Sequence, residues 1–388
     1  MEAVCALTLV TEKYLDLRGH WIELIALLKY GLEAARSDED RYGKLEPSFL
    51  NSLGLTYANL GKPCHGMEYL KQALEIVRVI GDRQGEGATL GNLGIACSGL
   101  GDIPQAIIYH DQALEIAQEI GDRKNEGSQL SNLGLAYADL SKHRQAIKYY
   151  DQALELVQEI GDRRDEAGVL SNMGNAYLYL SETAKAIELY RRALKIDQEI
   201  GSRQGEGIRL GNLGIAYAHI GNIAQAIKYY DQALEIAREI RDIRNEGNWL
   251  SNLGKAYSSL GDNRQAIECH DHALRISMQI GDRASKSIDL QNLGVAYAEL
   301  GDAKKAIEYY EQHLAIAREI GDSRGEGSAL WNASLALDVL GRRAEAVKLA
   351  RDALAIFERI GDPYAEEMRQ KLAKWQDNLT HSKPCRPP

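Results

Sequence analysis

No stretch of this chain approaches the roughly 18 uninterrupted apolar residues that mark a membrane-crossing helix, so no membrane partner is expected. Positive charge is in short supply. The 46 Lys and Arg stand against 56 Asp and Glu, a formal net charge of −10. A nucleic-acid partner needs basic surface to displace counterions, so none is expected either. The apolar start, Met1 to Val10, lacks the basic leading segment of a signal peptide. The cysteines, at positions 5, 64, 97, 269 and 385, show no paired spacing. That is the usage of free thiols in a reducing cytosol, and the expected localisation is cytoplasmic. The chain also has no Gly-x-x-x-x-Gly-Lys-Ser/Thr, no His-Glu-x-x-His and no Cys-x-x-Cys. With no phosphate loop, zinc-protease helix or redox pair, the sequence predicts a protein that is not an enzyme, with no cofactor and no metal.

What the chain does have is a period. Asn92, Asn132, Asn172, Asn212, Asn252, Asn292 and Asn332 recur every 40 residues, six of them opening Asn-Leu/Met-Gly. Self-similarity at a fixed period of this size is the signature of a repeat array. In the unit Gly121 to Ile160, Leu130, Leu133, Ala136, Tyr137 and Leu140 recur at steps of three and four, and so do Ala146, Ile147, Tyr150, Ala153, Leu154, Val157 and Ile160. Each half therefore reads as an amphipathic helix, A and then B. Gly121 suits a left-handed helix end and Asp122 the next cap. Asp102 with Gln105, Asn222 with Gln225 and Asp262 with Gln265 have capping-box spacing. Glu86, Glu126, Glu166, Glu206, Glu246 and Glu326, near the start of helix A, read as solvated charges at the positive end of the dipole. Gly94, Gly134, Gly174, Gly214, Gly254 and Gly294 lie inside helix A, where glycine costs about 1 kcal/mol against alanine. Their shared register implies close contact with helix B, with Ala106, Ala146, Ala186, Ala226, Ala266 and Ala306 as the matching small positions.

The segment Leu133-Gly134-Leu135-Ala136-Tyr137, followed by Ala146, Tyr150 and Ala153, resembles the tetratricopeptide repeat (TPR). The family period is about 34 residues; here it is 40, with Gly-Asp in place of the usual proline after helix B. The long form resembles the repeats of Pins/LGN-type adaptors and, less closely, kinesin light chain. Tyr14 to Trp21 is similar to the entry into repeat arrays of bacterial STAND-type signalling NTPases. The resemblance implies an all-α, right-handed superhelical solenoid of antiparallel helix pairs. Residues 43–362 make eight repeats and 1–42 a degenerate N-terminal helical pair, in which Trp21 plugs the end of the core. Residues 363–379 make a C-terminal capping helix and 380–388 a disordered tail.

The asparagine ladder carries the functional reading. An amide offers both a donor and an acceptor, so it can pair with a peptide unit of any sequence. In the resembling family helix A lines a concave groove, and this position faces it. That implies a protein or peptide segment held along the groove by Asn92, Asn132, Asn172, Asn212, Asn252, Asn292 and Asn332. The alternative is that each asparagine braces the neighbouring repeat. The position before the asparagine drifts through Gly91, Ser131, Ser171, Gly211, Ser251, Gln291 and Trp331. The expectation is that such drifting positions set specificity, with Tyr179, His219, Lys255 and Trp331 as the distinctive contacts. The expected state is a monomer, a homodimer being the alternative. A further alternative for the whole chain is the ligand-sensing arm of a STAND-type NTPase whose catalytic part is absent here.

Overall fold

The computed structural model describes residues 21–37 and 43–381, which form eighteen α-helices and no strand. The chain divides into two compact units, residues 1–200 and 201–388. In the first, α1 (Trp21–Ser37) and a short 3-10 turn lead into four helix pairs. These are α2 (Glu46–Asn59) with α3 (Pro63–Ile80), α4 (Arg83–Gly99) with α5 (Ile103–Ile120), α6 (Arg123–Asp139) with α7 (His143–Ile160), and α8 (Arg163–Tyr179) with α9 (Thr183–Glu199). The second unit pairs α10 (Arg203–His219) with α11 (Ile223–Ile240), α12 (Ile243–Ser259) with α13 (Asn263–Ile280), α14 (Arg283–Glu299) with α15 (Ala303–Ile320), and α16 (Ser323–Val339) with α17 (Arg343–Arg359); α18 (Tyr364–His381) follows. Within each unit every helix packs on the next, the arrangement of a TPR-like solenoid. The proposed first half of the N-terminal pair, residues 3–17, and the end of the tail, 382–388, lie outside the described residues.

The junctions obey simple chemistry. Asp122 Oδ1 accepts the Asn125 N–H at 3.0 Å, capping α6, and Asp82, Asp162, Asp242, Asp282 and Asp322 repeat that bond. Each such cap satisfies one of the free N–H groups of the first turn. Gly121 ends α5 at φ 69°.

The helix A glycines do mark a close approach, but the partner is a ring. A Cβ on Gly174 would lie 2.5 Å from Tyr190 Cε1, and one on Gly94 2.5 Å from His110 Cε1. Where α17 carries only Ala350 at the ring position, helix A carries Ser334 instead of glycine, and both are fully buried. The alanines one turn earlier on helix B, such as Ala146 and Ala186, are buried as well, and in the first repeat the equivalent Gly66 meets the glycine backbone, where a Cβ would strike the Gly54 carbonyl oxygen.

The helix A glutamates are not all solvated. Glu86 and Glu166 are buried. Glu86 takes Arg78 at 2.8 Å and Arg83 at 2.6 Å, and Arg83 also reaches Glu119 at the end of α5. Burial pushes the Glu86 carboxyl up, and the two guanidinium groups outweigh it, so its pKa is lowered.

The two ends of the described chain are closed differently from the repeats. Leu24, Leu28 and Leu32 of α1 pack on Phe49, Leu50 and Leu53 of α2. Trp21, expected to plug the core, is only partly buried and lies outside that cluster. At the other end α18 buries Met368, Leu372 and Trp375.

Candidate functional site

Within each unit the A helices of successive repeats touch, whereas the B helices make no comparable contact. The A helices therefore form the inner layer of each stack. On α6 the apolar stripe Leu130, Leu133 and Ala136 is buried, leaving Ser128, Asn132 and Leu135 on the open side.

All seven ladder asparagines are partly buried, the state of a side chain at the floor of a groove. Their bonding differs. Asn92 Nδ2 donates to Asn51 Oδ1 at 3.4 Å, and Asn51 Nδ2 donates to Thr89 at 2.8 Å, so this rung braces the neighbouring repeat. Asn212 also has a partner. Among the described residues, Asn132, Asn172, Asn252 and Asn332 make no side-chain hydrogen bond, and the Nδ2 of Asn292 is enclosed without a partner. An amide without a protein partner at a partly exposed position keeps a donor and an acceptor free to bond a ligand in place of solvent.

The drifting position before each asparagine has a different explanation from the one expected. It meets the residue three places before the next asparagine. A Cβ on Gly91 would lie 2.7 Å from Gln129 Nε2, and one on Gly211 would strike the Trp249 ring. Ser251 hydrogen-bonds Asp289. Large meets small and polar meets polar, so this drift records packing between repeats. Trp331 obeys the same rule at the end of the array: its ring is partly buried and stacks on Trp375 of α18 at 6.2 Å.

The other distinctive residues fall at exposed places. Tyr179, 75% exposed at the end of α8, stacks on His143 with 4.7 Å between ring centroids. His219 is exposed at the end of α10 and has a partner of its own. Lys255 is exposed on α12 and has no ion-pair partner among the described residues.

Clefts open between successive A helices in both units. In the first, Asn132 and Asn172 flank a cleft of about 190 Å³ with Ser131 and Val169. In the second, the cleft at Asn252 and Lys255 reaches about 340 Å³, with Ile215, Ile276, Ile288 and Asp289 among its walls. Asp289 is 2% exposed and accepts the Ser277 hydroxyl at 3.3 Å. Burial raises its pKa to about 6, against the pull of Ser251, Ser277 and Lys255. Sequence reasoning passed over this group. A signal was present: Asp289 falls where other repeats have Thr89, Gln129, Val169, Arg209, Trp249 and Ala329, so it is the one acid at that register, and Ser277 falls where they have Val77, Ala117, Val157, Asp197, Ala237, Ala317 and Phe357.

No group of three or more metal-ligating side chains occurs among the described residues, and no described helix is long and apolar enough to cross a membrane. No curated protein matches the chain in sequence. Among solved structures it is similar to BtubC (BKLC) from P. vanneervenii, at 26% identity and a TM-score of 0.51, over 57% of this chain and 92% of that one. It is also similar to the Signal Transduction ATPase with Numerous Domains (STAND) protein with a tetratricopeptide repeat sensor from Pyrococcus horikoshii. There the identity is 18% and the TM-score 0.68, over 96% of this chain and 55% of the other, so the chain spans about half the length of that protein. The apo quorum sensor NprR from B. thuringiensis gives 17% identity and a TM-score of 0.61, over 92% and 98%. At these identities the last two likenesses speak to fold alone. The sequence profile of the tetratricopeptide repeat matches residues 46–119, 128–199, 208–279 and 286–359, and a second such profile matches 171–239. With most of its length matched in four successive segments, and with the helix pairs those segments predict, the chain belongs to the tetratricopeptide repeat family.

Proposed function

We propose that this protein is a non-enzymatic interaction module that holds a peptide or an extended protein segment against its A helices. The observation that carries the reading is the set of unmatched asparagine amides, Asn132 and Asn172 in the first unit and Asn252, Asn292 and Asn332 in the second. They sit at one register of the inner layer, and at Asn132, Asn172, Asn252 and Asn332 a ligand backbone can use both amide functions, whereas the Nδ2 of Asn292 is enclosed. The net charge of −10 supports a protein rather than a nucleic-acid partner.

The test uses immobilised random heptapeptides as probes. Asn132→Ala/Asn172→Ala and Asn252→Ala/Asn292→Ala are each compared with the native chain. Each lost hydrogen bond is worth about 1 kcal/mol, so either pair should weaken binding by roughly tenfold to thirtyfold with unchanged helicity by circular dichroism. Unaltered binding, or binding lost only in step with helicity, would sink the reading and return the ladder to bracing.

A second reading is a ligand-sensing arm of a STAND-type signalling or defence NTPase. The similar Pyrococcus protein, described as having a tetratricopeptide repeat sensor, supports it. Sequencing the gene upstream of Met1 tests it: an in-frame phosphate-binding loop favours this reading, and a stop codon closes it.

A further inference from the structure

We infer that the cleft between α12, α13 and α14 receives one basic side chain, lysine or arginine, of the bound segment. This rests on the groove reading and specifies what one point of the groove selects.

The buried carboxylates of this protein are not treated alike. Glu86 and Glu166 are each held by a guanidinium group. Asp289 has no cation within ion-pair distance and is met only by the hydroxyls of Ser251 and Ser277. Hydroxyl donors satisfy lone pairs without neutralising the charge, Lys255 acts on it only from beyond ion-pair distance, and a desolvated charge without a paired counterion is costly. Three polar residues, Ser251, Ser277 and Asp289, converge at this joint; the earlier set that is polar at the same three registers, Ser171, Asp197 and Arg209, includes a cation, and this one does not. All three line an open cleft of about 340 Å³ rather than a closed core.

The walls select the shape of the guest. Ile215, Ile276, Ile280 and Ile288 line the cleft, and Ile280 and Ile288 are over a third exposed. Aliphatic walls with a buried acidic group among them fit a methylene stem ending in a cation. The cations nearby are not competitors. Arg244 lies 3.8 Å from Asp282, and Lys255, exposed on the cleft wall, acts on Asp289 only through its charge, with no ion pair between them. An anionic guest would meet Asp289 directly. A purely apolar guest would bury that carboxylate further and give it nothing in return.

Heptapeptide arrays with the central residue fixed as Arg, Lys, citrulline, Leu or Glu test the inference. Citrulline keeps the shape of arginine and removes its charge. The native chain should prefer Arg and Lys over citrulline by about tenfold, the scale of one charge-assisted hydrogen bond. Asp289→Asn should bind the Arg and citrulline arrays equally. Equal binding of Arg and citrulline by the native chain would overturn the inference while leaving the groove reading intact, and it needs no variant to fold. An arginine preference that survives in Asp289→Asn would overturn it too. If no array binds the native chain, the groove reading fails and this inference with it.

Discussion

At position 270 a histidine ring lies over the bare face of Gly254, the place that Tyr150, Tyr190, Tyr230 and Tyr310 fill over their own glycines. The substitution keeps the packing and adds a titration. Burial, aided by the charge of Lys255, lowers the His270 pKa from 6.5 to about 4. The unfolded chain therefore binds a proton below pH 6.5 that the folded chain refuses until about pH 4. Stability from this site is complete above pH 6.5 and falls as the pH drops through that window, by about 3 kcal/mol in all. His270→Tyr, which restores the residue of the other repeats, should remove that part of the acid sensitivity; urea unfolding at pH 7.5 and pH 4.5 measures it. If the pH dependence is the same in both chains, the neutral buried ring is the wrong picture. The glycines were legible as close approaches because seven of them, Gly54 included, share one register. The ring was not, because sequence spacing cannot say that Tyr150 covers the glycine in addition to the small residue expected there.

Helix ends follow a rule with informative exceptions. Among the described residues, thirteen glycines adopt positive φ at turns, as do three other residues: Ser141, Ser181 and Arg241, at φ of 59°, 60° and 57°. A side chain in this left-handed region costs roughly 1–2 kcal/mol. At the corresponding Gly121 and Gly161 nothing lies within 4 Å of a would-be Cβ, so the glycine there serves conformation and not space. Arg241→Gly should therefore stabilise the chain by about 1 kcal/mol, read as a higher urea midpoint at unchanged slope. A lower midpoint would mean the arginine makes a contact that outweighs its backbone strain. Caps and stops were legible because each needs one residue type at one place. The glutamates of the first helical turn were misread because a charge near a helix start satisfies the dipole whether it is wet or, like Glu86 and Glu166, buried against arginine.

Across each unit, stability is nearly a sum of repeats and of the seams between neighbours. The Gly211 and Trp249 seam is the plainest to test. Trp249→Ala should cost about 3–5 kcal/mol through the cavity it leaves. Gly211→Gln in that background should recover part of the loss, since a large residue before Asn292, Gln291, goes with the small Ala329 in the next repeat. Additive costs in the urea-unfolding cycle would mean the two positions do not pack as a pair. Variation at this register invites a reading as ligand specificity, because adjacent repeats far apart in sequence share each contact and a single chain does not announce the pairing. The same seams bear on how such a gene can change. Near-identical 40-residue units invite unequal recombination, which adds or drops one unit without shifting the reading frame. Losing residues 212–251 would set Gly211 opposite Asp289 and strip the carboxylate of its Ser251 donor. The helices would still count correctly, yet the joint would be wrong. Repeats that look interchangeable in the DNA are thus distinct parts in the protein, and shortening the array by a whole unit requires a second, compensating change at the new joint.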